Sequence, residues 1–221
     1  MFRCFTYGAR ARVSKAALAL FLVWGTVAQA EGVQILALGD SLTQGYGLPQ
    51  PDGFVPQLER WLDGQGIEAE VINGGVSGDT TAGGLSRVEW SLTPEVDAVI
   101  VALGGNDLLR GIAPEVSRAN LDGILSVAQR NDLPVLLVGV PAPGNYGRDY
   151  KAAFDAIYPE LSEVYGTLYV RSFFQGLGDD PVAARGFFQD DGIHPNADGV
   201  ARIVAALGPA VAELVDRADG S

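Results

Sequence analysis

Runs of apolar residues alternate with segments of helical spacing along most of this chain. The apolar runs predict buried strands over 33–38, 69–72, 96–103, 134–140 and 167–170. The segments between and after them predict helices over 54–62, 80–90, 114–130, within 148–164 and over 198–215. Strand and helix therefore alternate about five times, which predicts one α/β domain with a parallel sheet covered by helices on both faces.

Local signals place several helix boundaries. Pro114 suits the first turn of its helix, and Asp79 and Asp198 are candidate N-caps for the helices that follow them. Pro159 is expected to bend or end the helix within 148–164, because proline lacks the backbone N–H that a helix interior uses.

Glycine and polar residues concentrate in four loops that follow predicted strands, at 39–47, 73–81, 104–107 and 141–148. In a parallel sheet these loops meet along the edge formed by the carboxyl ends of the strands, where such folds bind ligands. Glycines there allow close approach of the backbone to another group. This edge is therefore the predicted site.

The first 30 residues differ from the rest. They carry four basic residues and no acidic one, an apolar run at 16–27, and the small-residue pattern Ala28-Gln29-Ala30. This predicts a signal peptide at 1–30, a mature domain at 31–221 and a periplasmic or secreted location. The alternative, an uncleaved anchor, is disfavoured because the run is shorter than the roughly 20 residues of a spanning helix. We expect no stable membrane insertion after cleavage.

The charge and the cysteine content exclude several function classes. Without residues 1–30 the formal net charge changes from −12 to about −16, which opposes binding to nucleic acid or anionic membranes. Cys4 is the single cysteine, so the mature chain has no disulfide and no thiol nucleophile. One histidine and no mature cysteine exclude a zinc site. We predict no metal and no cofactor, and expect a monomer.

Ser41 is a candidate nucleophile. It lies in Gly39-Asp40-Ser41-Leu42, at the end of the first predicted strand. A serine nucleophile needs a base, and imidazole is the usual one near neutral pH. His194 is the only histidine, so any serine–histidine pair must contain it. Asp191, three residues earlier, could orient its ring. The alternative is a helix-capping loop with an incidental exposed histidine.

Two further loops offer hydrogen-bond donors for an oxyanion. Asn106, in Gly104-Gly105-Asn106-Asp107, has a side-chain amide that could serve, although a turn asparagine is the alternative. Gly78, in Ser77-Gly78-Asp79-Thr80, could offer its backbone N–H at a helix entry. Asp40, Asp79 and Asp107 flank these motifs and are interpreted as caps and loop hydrogen-bond acceptors.

Together and in this order, the four motifs resemble those of the SGNH (GDSL) hydrolase superfamily. The fourth is Asp191-Gly192-Ile193-His194-Pro195. The stretches Asn145-Tyr146-Gly147-Arg148 and Ala156-Ile157-Tyr158-Pro159 resemble its bacterial periplasmic thioesterase, lysophospholipase and arylesterase branch. The resemblance implies a flavodoxin-like three-layer α/β/α sandwich, with a five-stranded parallel sheet of order 2-1-3-4-5.

The same resemblance implies a role for each motif residue. Ser41 would be the nucleophile, His194 the general base and then acid, and Asp191 the residue that orients His194. The backbone N–H groups of Ser41 and Gly78 and the side chain of Asn106 would form the oxyanion hole. Gly75 competes with Gly78, and the glycines at 74 and 75 would make that loop more flexible.

The predicted function is hydrolysis of carboxylic esters and thioesters, including arylesters and lysophospholipids, through an acyl-enzyme on Ser41. Expected substrate-binding residues are Leu108, Leu109, Ile112, Pro143 and Tyr146, together with Phe187. The loop at 141–148 could move over the site. The alternatives are a carbohydrate acetylesterase, which needs a more polar pocket, and an inactive lipid- or glycan-binding module.

Overall fold

A five-stranded parallel sheet organises the chain from Gly32 onward. The structure, a computed structural model, describes residues 1–2, 32–178 and 180–220. Gly32–Ser221 forms one compact unit. Residues 3–30 of the predicted signal peptide lie outside the described residues. Within the described part of the chain, no helix has the length and apolar character needed to cross a membrane.

The strands follow the predicted order. They are β1 (Val33–Gly39), β2 (Ala69–Gly75), β3 (Ala98–Ala102), β4 (Val135–Val138) and β5 (Leu168–Val170), arranged β2-β1-β3-β4-β5. All neighbouring pairs are parallel. Gly39 pairs with Gly75 on one side and with Ala102 on the other, so three strands end level at one edge. The predicted fold class is confirmed.

Helices cover both faces of the sheet. They are α1 (Ser41–Gln44), α2 (Phe54–Gln65), α3 (Thr81–Ser91), α4 (Gly105–Leu109), α5 (Pro114–Arg130), α6 (Arg148–Tyr165), α7 (Pro181–Ala184) and α8 (Ala197–Asp219). Helices α1, α4 and α7 were not predicted, because four or five residues are too short to show a helical period.

The hydrophobic core has two parts, one on each face of the sheet, and successive side chains of β1 point alternately into one and the other. Ile35 and Ala37 pack with α2 and α8, whereas Leu36 and Leu38 pack with α3, α5 and α6. Successive side chains of a strand point to opposite faces, so a strand apolar at every position must be covered on both sides. The sheet and the helices on its two faces therefore form a three-layer α/β/α sandwich.

Two N-cap predictions were wrong. Thr80, not Asp79, caps α3 by accepting a hydrogen bond from the Gly83 N–H at 3.4 Å. Asn196, not Asp198, caps α8 through the Gly199 N–H at 3.0 Å. Of the two expected effects of Pro159, ending the helix does not occur: α6 continues to Tyr165, because its packed face compensates for the missing hydrogen bond.

Candidate active site

Ser41 is the first residue of α1, directly beyond the carboxyl end of β1. The Asp40 carboxylate caps this helix, since its Oδ1 accepts from the Leu42 N–H at 3.0 Å. A Cβ at Gly39 would lie 2.0 Å from Thr43 Oγ1, so glycine makes room for the buried Thr43 side chain of α1. The Gly-Asp-Ser sequence therefore presents the hydroxyl at the sheet edge.

His194 lies in a closed turn just before α8. The backbone pairs Phe188 with Pro195 as an antiparallel bridge, and the His194 carbonyl accepts from the Gln189 N–H at 2.8 Å. Within the turn, Asp191 Oδ1 accepts from the backbone N–H groups of Ile193 at 2.9 Å and His194 at 3.0 Å. These bonds fold the aspartate back toward the imidazole ring.

Ser41, His194 and Asp191 form one hydrogen-bonded chain. Ser41 Oγ lies 2.9 Å from His194 Nε2, and His194 Nδ1 lies 2.7 Å from Asp191 Oδ2. An ionised carboxylate only accepts hydrogen bonds, so Nδ1 carries the proton in the neutral ring and leaves Nε2 to accept from the serine hydroxyl. The geometry is that of a catalytic triad.

Asp191 stays ionised over a wide range of pH. The hydrogen bond from the His194 side chain, followed by those from the His194 and Ile193 backbone N–H groups, lowers the pKa of Asp191 from 3.8 to about 2. Its negative charge is therefore present at neutral pH, next to the imidazole ring, where it favours a positively charged ring.

The predicted oxyanion-hole residues line one cavity with Ser41. Gly78 has φ of 82°, and its carbonyl accepts from Arg110 Nη2 at 2.7 Å. Asn106 is the second residue of α4 and its Nδ2 donates to Asp40 Oδ2 at 3.2 Å. The three residues come from three different strand ends, as the sheet topology requires.

Gly75, the competing donor, is engaged elsewhere. It is the last residue of β2, and its N–H donates to Asn73 Oδ1 at 3.0 Å. A Cβ at Gly75 would lie 2.3 Å from the backbone nitrogen of Gln44, and one at Gly74 would lie 2.9 Å from the Ala37 carbonyl oxygen. These two glycines lie at the end of β2 and not in a loop as expected, and they permit close contact there.

A buried aspartate joins the two loops that carry Gly78 and Asn106. Asp107 is fully buried and accepts from the Thr81 N–H at 2.9 Å, Thr81 Oγ1 at 2.6 Å and Ser117 Oγ at 2.8 Å. Asp79 pairs with Arg87 at 2.7 Å, and Arg87 also donates to the Gly39 carbonyl at 2.8 Å. The aspartates that flank the motifs hold their loops together, as predicted.

The cavity beside Ser41 has a volume of about 600 Å³ and mostly apolar walls. Of the predicted substrate-binding residues, Leu109 and Pro143 line it. The other apolar walls include Tyr46, Val140, Phe174, Phe188 and Ile193. Among the described residues, no group of three or more histidine, cysteine, aspartate or glutamate side chains could hold a metal ion.

Four expected substrate contacts lie elsewhere. Leu108 is 5% exposed and packs into the core, because α4 directs it inward and the neighbouring Leu109 outward. Ile112 and Tyr146 do not line the cavity; the Ile112 carbonyl accepts from the Tyr150 hydroxyl, and Tyr146 packs on the Tyr150 ring. Phe187 lies under the Arg202 guanidinium instead.

Sequence reasoning missed the aromatic walls of the site. The Tyr46 ring lies 4.5 Å from the His194 ring, centroid to centroid, and Phe174 packs on Phe188 at 5.7 Å. Tyr46 could have been found as an aromatic residue five positions after Ser41 in a glycine-rich loop. Phe174 and Phe188 carry no such signal, since they join the site only through the tertiary fold.

A parallel α/β sandwich with a serine–histidine–aspartate chain beside an apolar cavity defines the class of serine hydrolases. The GDSL-like Lipase/Acylhydrolase family matches residues 37–202, and the chain belongs to that family. It is 36% identical over 207 residues to esterase TesA of Pseudomonas aeruginosa, covering 93% of this chain and 100% of that one.

Two further relatives are also named as ester or thioester hydrolases. The chain is 36% identical to thioesterase 1/protease 1/lysophospholipase L1 of Escherichia coli K12, over 81% of this chain and 83% of that protein. The crystal structure of AlinE4, an SGNH-hydrolase family esterase, superposes with a TM-score of 0.69 and 46% identity, covering 83% of this chain and 96% of that one. The predicted superfamily and the predicted enzyme class, a carboxylic ester hydrolase, are confirmed.

Proposed function

We propose that this enzyme hydrolyses carboxylic esters and thioesters in two steps, through an acyl group carried on Ser41. The observation that carries the proposal is the hydrogen-bonded chain in which Ser41 Oγ lies 2.9 Å from His194 Nε2 and Asp191 holds the other ring nitrogen at 2.7 Å. The names of the esterase and thioesterase relatives support both substrate classes.

In the first step, Ser41 Oγ attacks the acyl carbonyl carbon while His194 Nε2 takes the hydroxyl proton. The oxyanion that forms accepts hydrogen bonds from the Ser41 and Gly78 backbone N–H groups and from the Asn106 amide. His194 then gives its proton to the leaving alcohol or thiol. In the second step, His194 deprotonates a water molecule, which attacks the acyl-enzyme and releases the carboxylic acid and free Ser41.

The cavity favours an apolar acyl or aryl group. Leu109 and Ile193 are 62% and 45% exposed, yet both belong to its wall, so a bound substrate would cover them. An acetylated carbohydrate would instead need polar side chains along the wall to pair its hydroxyl groups. The intact triad argues against an inactive binding module.

We further propose that residues 1–30 direct export, so that the enzyme acts in the periplasm or outside the cell. The basic start, the apolar run at 16–27 and the small residues at 28–30 support this. The enzyme would act as a monomer, since the triad and all three proposed oxyanion donors come from a single chain.

Steady-state hydrolysis of p-nitrophenyl esters of increasing acyl length tests the function. We expect kcat/KM to rise from acetate to a longer acyl chain, and Ser41→Ala to lower kcat by about 10⁴-fold or more. Ser126→Ala, on the outer helix α5, is the matched control and keeps wild-type activity. Equal hydrolysis by Ser41→Ala and the control would contradict the mechanism, and a strict preference for acetyl groups would contradict the substrate class.

A further inference from the structure

The carboxylate of Asp40 occupies a position that the triad does not explain. Asp40 is 3% exposed and lies between the end of β1 and helix α4, directly before Ser41. It lines the cavity but does not belong to the hydrogen-bonded chain of Ser41, His194 and Asp191. A buried carboxylate next to a developing negative charge opposes that charge, so its presence needs a compensating role.

The two oxygens of Asp40 accept hydrogen bonds from two different segments, and each segment carries a proposed oxyanion donor. Oδ1 accepts from the Leu42 N–H at 3.0 Å and so fixes the first turn of α1, which begins at Ser41. Oδ2 accepts from Asn106 Nδ2 at 3.2 Å. An amide nitrogen carries two hydrogens, so this bond occupies one and leaves the other for an oxyanion.

The surrounding backbone is shaped for this contact. A Cβ at Gly105 would lie 3.3 Å from Asp40 Oδ2, so glycine lets the start of α4 approach the carboxylate closely. Burial raises the pKa of Asp40 from 3.8 to about 6, and the bonds from Leu42 and Asn106 act in the opposite direction. The group is therefore mainly ionised at pH 7.5, and an ionised carboxylate can serve both donors at once.

We propose that Asp40 is a positioning residue for the oxyanion hole, which aligns the Ser41 backbone N–H through the cap of α1 and the Asn106 amide through a direct hydrogen bond. The inference rests on the proposed function, because it acts through the proposed oxyanion donors. Aspartate suits the task better than asparagine. An amide has one acceptor oxygen and would turn its own N–H₂ group toward one of the two donors.

A double-mutant cycle tests the inference with a p-nitrophenyl ester, measuring kcat and KM for wild type, Asp40→Asn, Asn106→Ala and the double variant. Asp97→Asn is the matched control: its carboxylate also accepts from a backbone N–H, that of Gln34 at 2.9 Å, but at the other end of the sheet. We expect the control to keep wild-type kcat.

If Asp40 acts through Asn106, Asp40→Asn lowers kcat about 10- to 100-fold with little change in KM, and Asn106→Ala lowers it about 100- to 1000-fold. In the Asn106→Ala background, Asp40→Asn then has a smaller effect, because one of its two targets is gone and only the cap of α1 remains. An unchanged kcat in Asp40→Asn, or the same factor in both backgrounds, overturns the inference while the proposed function stands. An unchanged kcat in Asn106→Ala removes the proposed oxyanion donor and the inference with it.

A second measurement on the wild-type enzyme decides the question if Asp40→Asn does not fold. The side-chain amide resonance of Asn106 is followed by NMR against pH, together with the Asp40 carboxyl carbon and the His194 ring. His194 and Tyr158 are the titratable groups whose charges couple to Asp40. We expect the Asn106 amide to shift with the midpoint of Asp40. An amide that does not respond while Asp40 titrates overturns the inference.

Discussion

At the scale of single residues, Asp191 shows how one side chain can organise the turn that carries His194. It accepts two backbone hydrogen bonds within its own turn and one from the ring of His194. The spacing of three residues makes this possible, because the turn brings the carboxylate to the ring nitrogen. The aspartate thereby fixes both the tautomer and the direction of the histidine.

Replacing Asp191 with asparagine is therefore expected to lower kcat by about 10³- to 10⁴-fold, because an amide that donates to Nδ1 stabilises the wrong tautomer. Asp190→Asn is the matched control, since Asp190 is the adjacent acidic residue and does not line the cavity beside Ser41. Ester hydrolysis measures both. A comparable loss in Asp190→Asn would show that the effect is a loss of loop charge and not of ring orientation.

Much of the site could be predicted from the residues because the choices were few. The chain has one histidine, so any serine–histidine pair had to include His194. The substrate wall was harder to predict. Leu108 and Leu109 are adjacent and chemically alike, and only the short helix α4 decides that one enters the core and the other faces the cavity.

At the scale of elements, the contact between β2 and α1 determines where Ser41 sits. Gly75 ends β2 beside the backbone of Gln44, the last residue of α1, at a distance that no side chain tolerates. Helix α1 has only four residues, so it depends on its cap and on contacts such as this one with β2. Displacing β2 from α1 would therefore move Ser41.

We expect Gly75→Ala to destabilise the protein by about 1–3 kcal/mol, because its Cβ would overlap backbone that cannot move away cheaply. The kcat should fall at least about 10-fold, since small displacements of reacting groups are costly.

Gly64→Ala in α2 is the control for Gly75→Ala. Its added Cβ meets nothing within 4 Å, and it should stabilise the helix by about 0.5–1 kcal/mol with unchanged activity. Urea unfolding and ester hydrolysis test both variants. If Gly75→Ala has the same stability and kcat as wild type, close packing of β2 against α1 does not determine the position of Ser41.

The elements themselves were predictable from apolar periodicity, but their ends were not. Asp79 and Thr80 are adjacent and both are good capping residues, so the sequence alone does not decide between them. Thr80 caps α3 because Asp79 is drawn to Arg87 by an ion pair. The order of the strands came from the resemblance to a family, since an apolar pattern does not specify which strands are neighbours.

At the scale of the whole molecule, the two perturbed carboxyls of the site give stability opposite dependences on pH. Asp191 has a lowered pKa, so its contribution is present above pH 3.8 and is lost as the pH falls toward about 2. Asp40 has a raised pKa, so its contribution is present below pH 3.8 and is lost as the pH rises through about 6. Asp191 therefore changes stability between about pH 2 and pH 3.8, and Asp40 changes it between pH 3.8 and about pH 6.

Asp40→Asn should therefore remove a pH-dependent loss of stability between pH 4 and pH 6. The rise in the pKa of Asp40 from 3.8 to about 6 corresponds to at most about 3 kcal/mol. The free energy of unfolding of the variant, measured in urea, should rise relative to wild type by up to that amount across the window. Parallel curves for the two proteins would show that Asp40 titrates alike in the folded and unfolded states.

The most direct test of the mechanism is to locate the covalent intermediate. A fluorophosphonate reacts with an activated serine, and mass spectrometry after trypsin digestion identifies the modified peptide. Between Lys15 and Arg60 the chain contains one serine, Ser41. We predict one adduct per chain, in the peptide that ends at Arg60, and none in His194→Ala. An adduct on another serine, or none on an enzyme that hydrolyses esters, would contradict the assignment of Ser41 as the nucleophile.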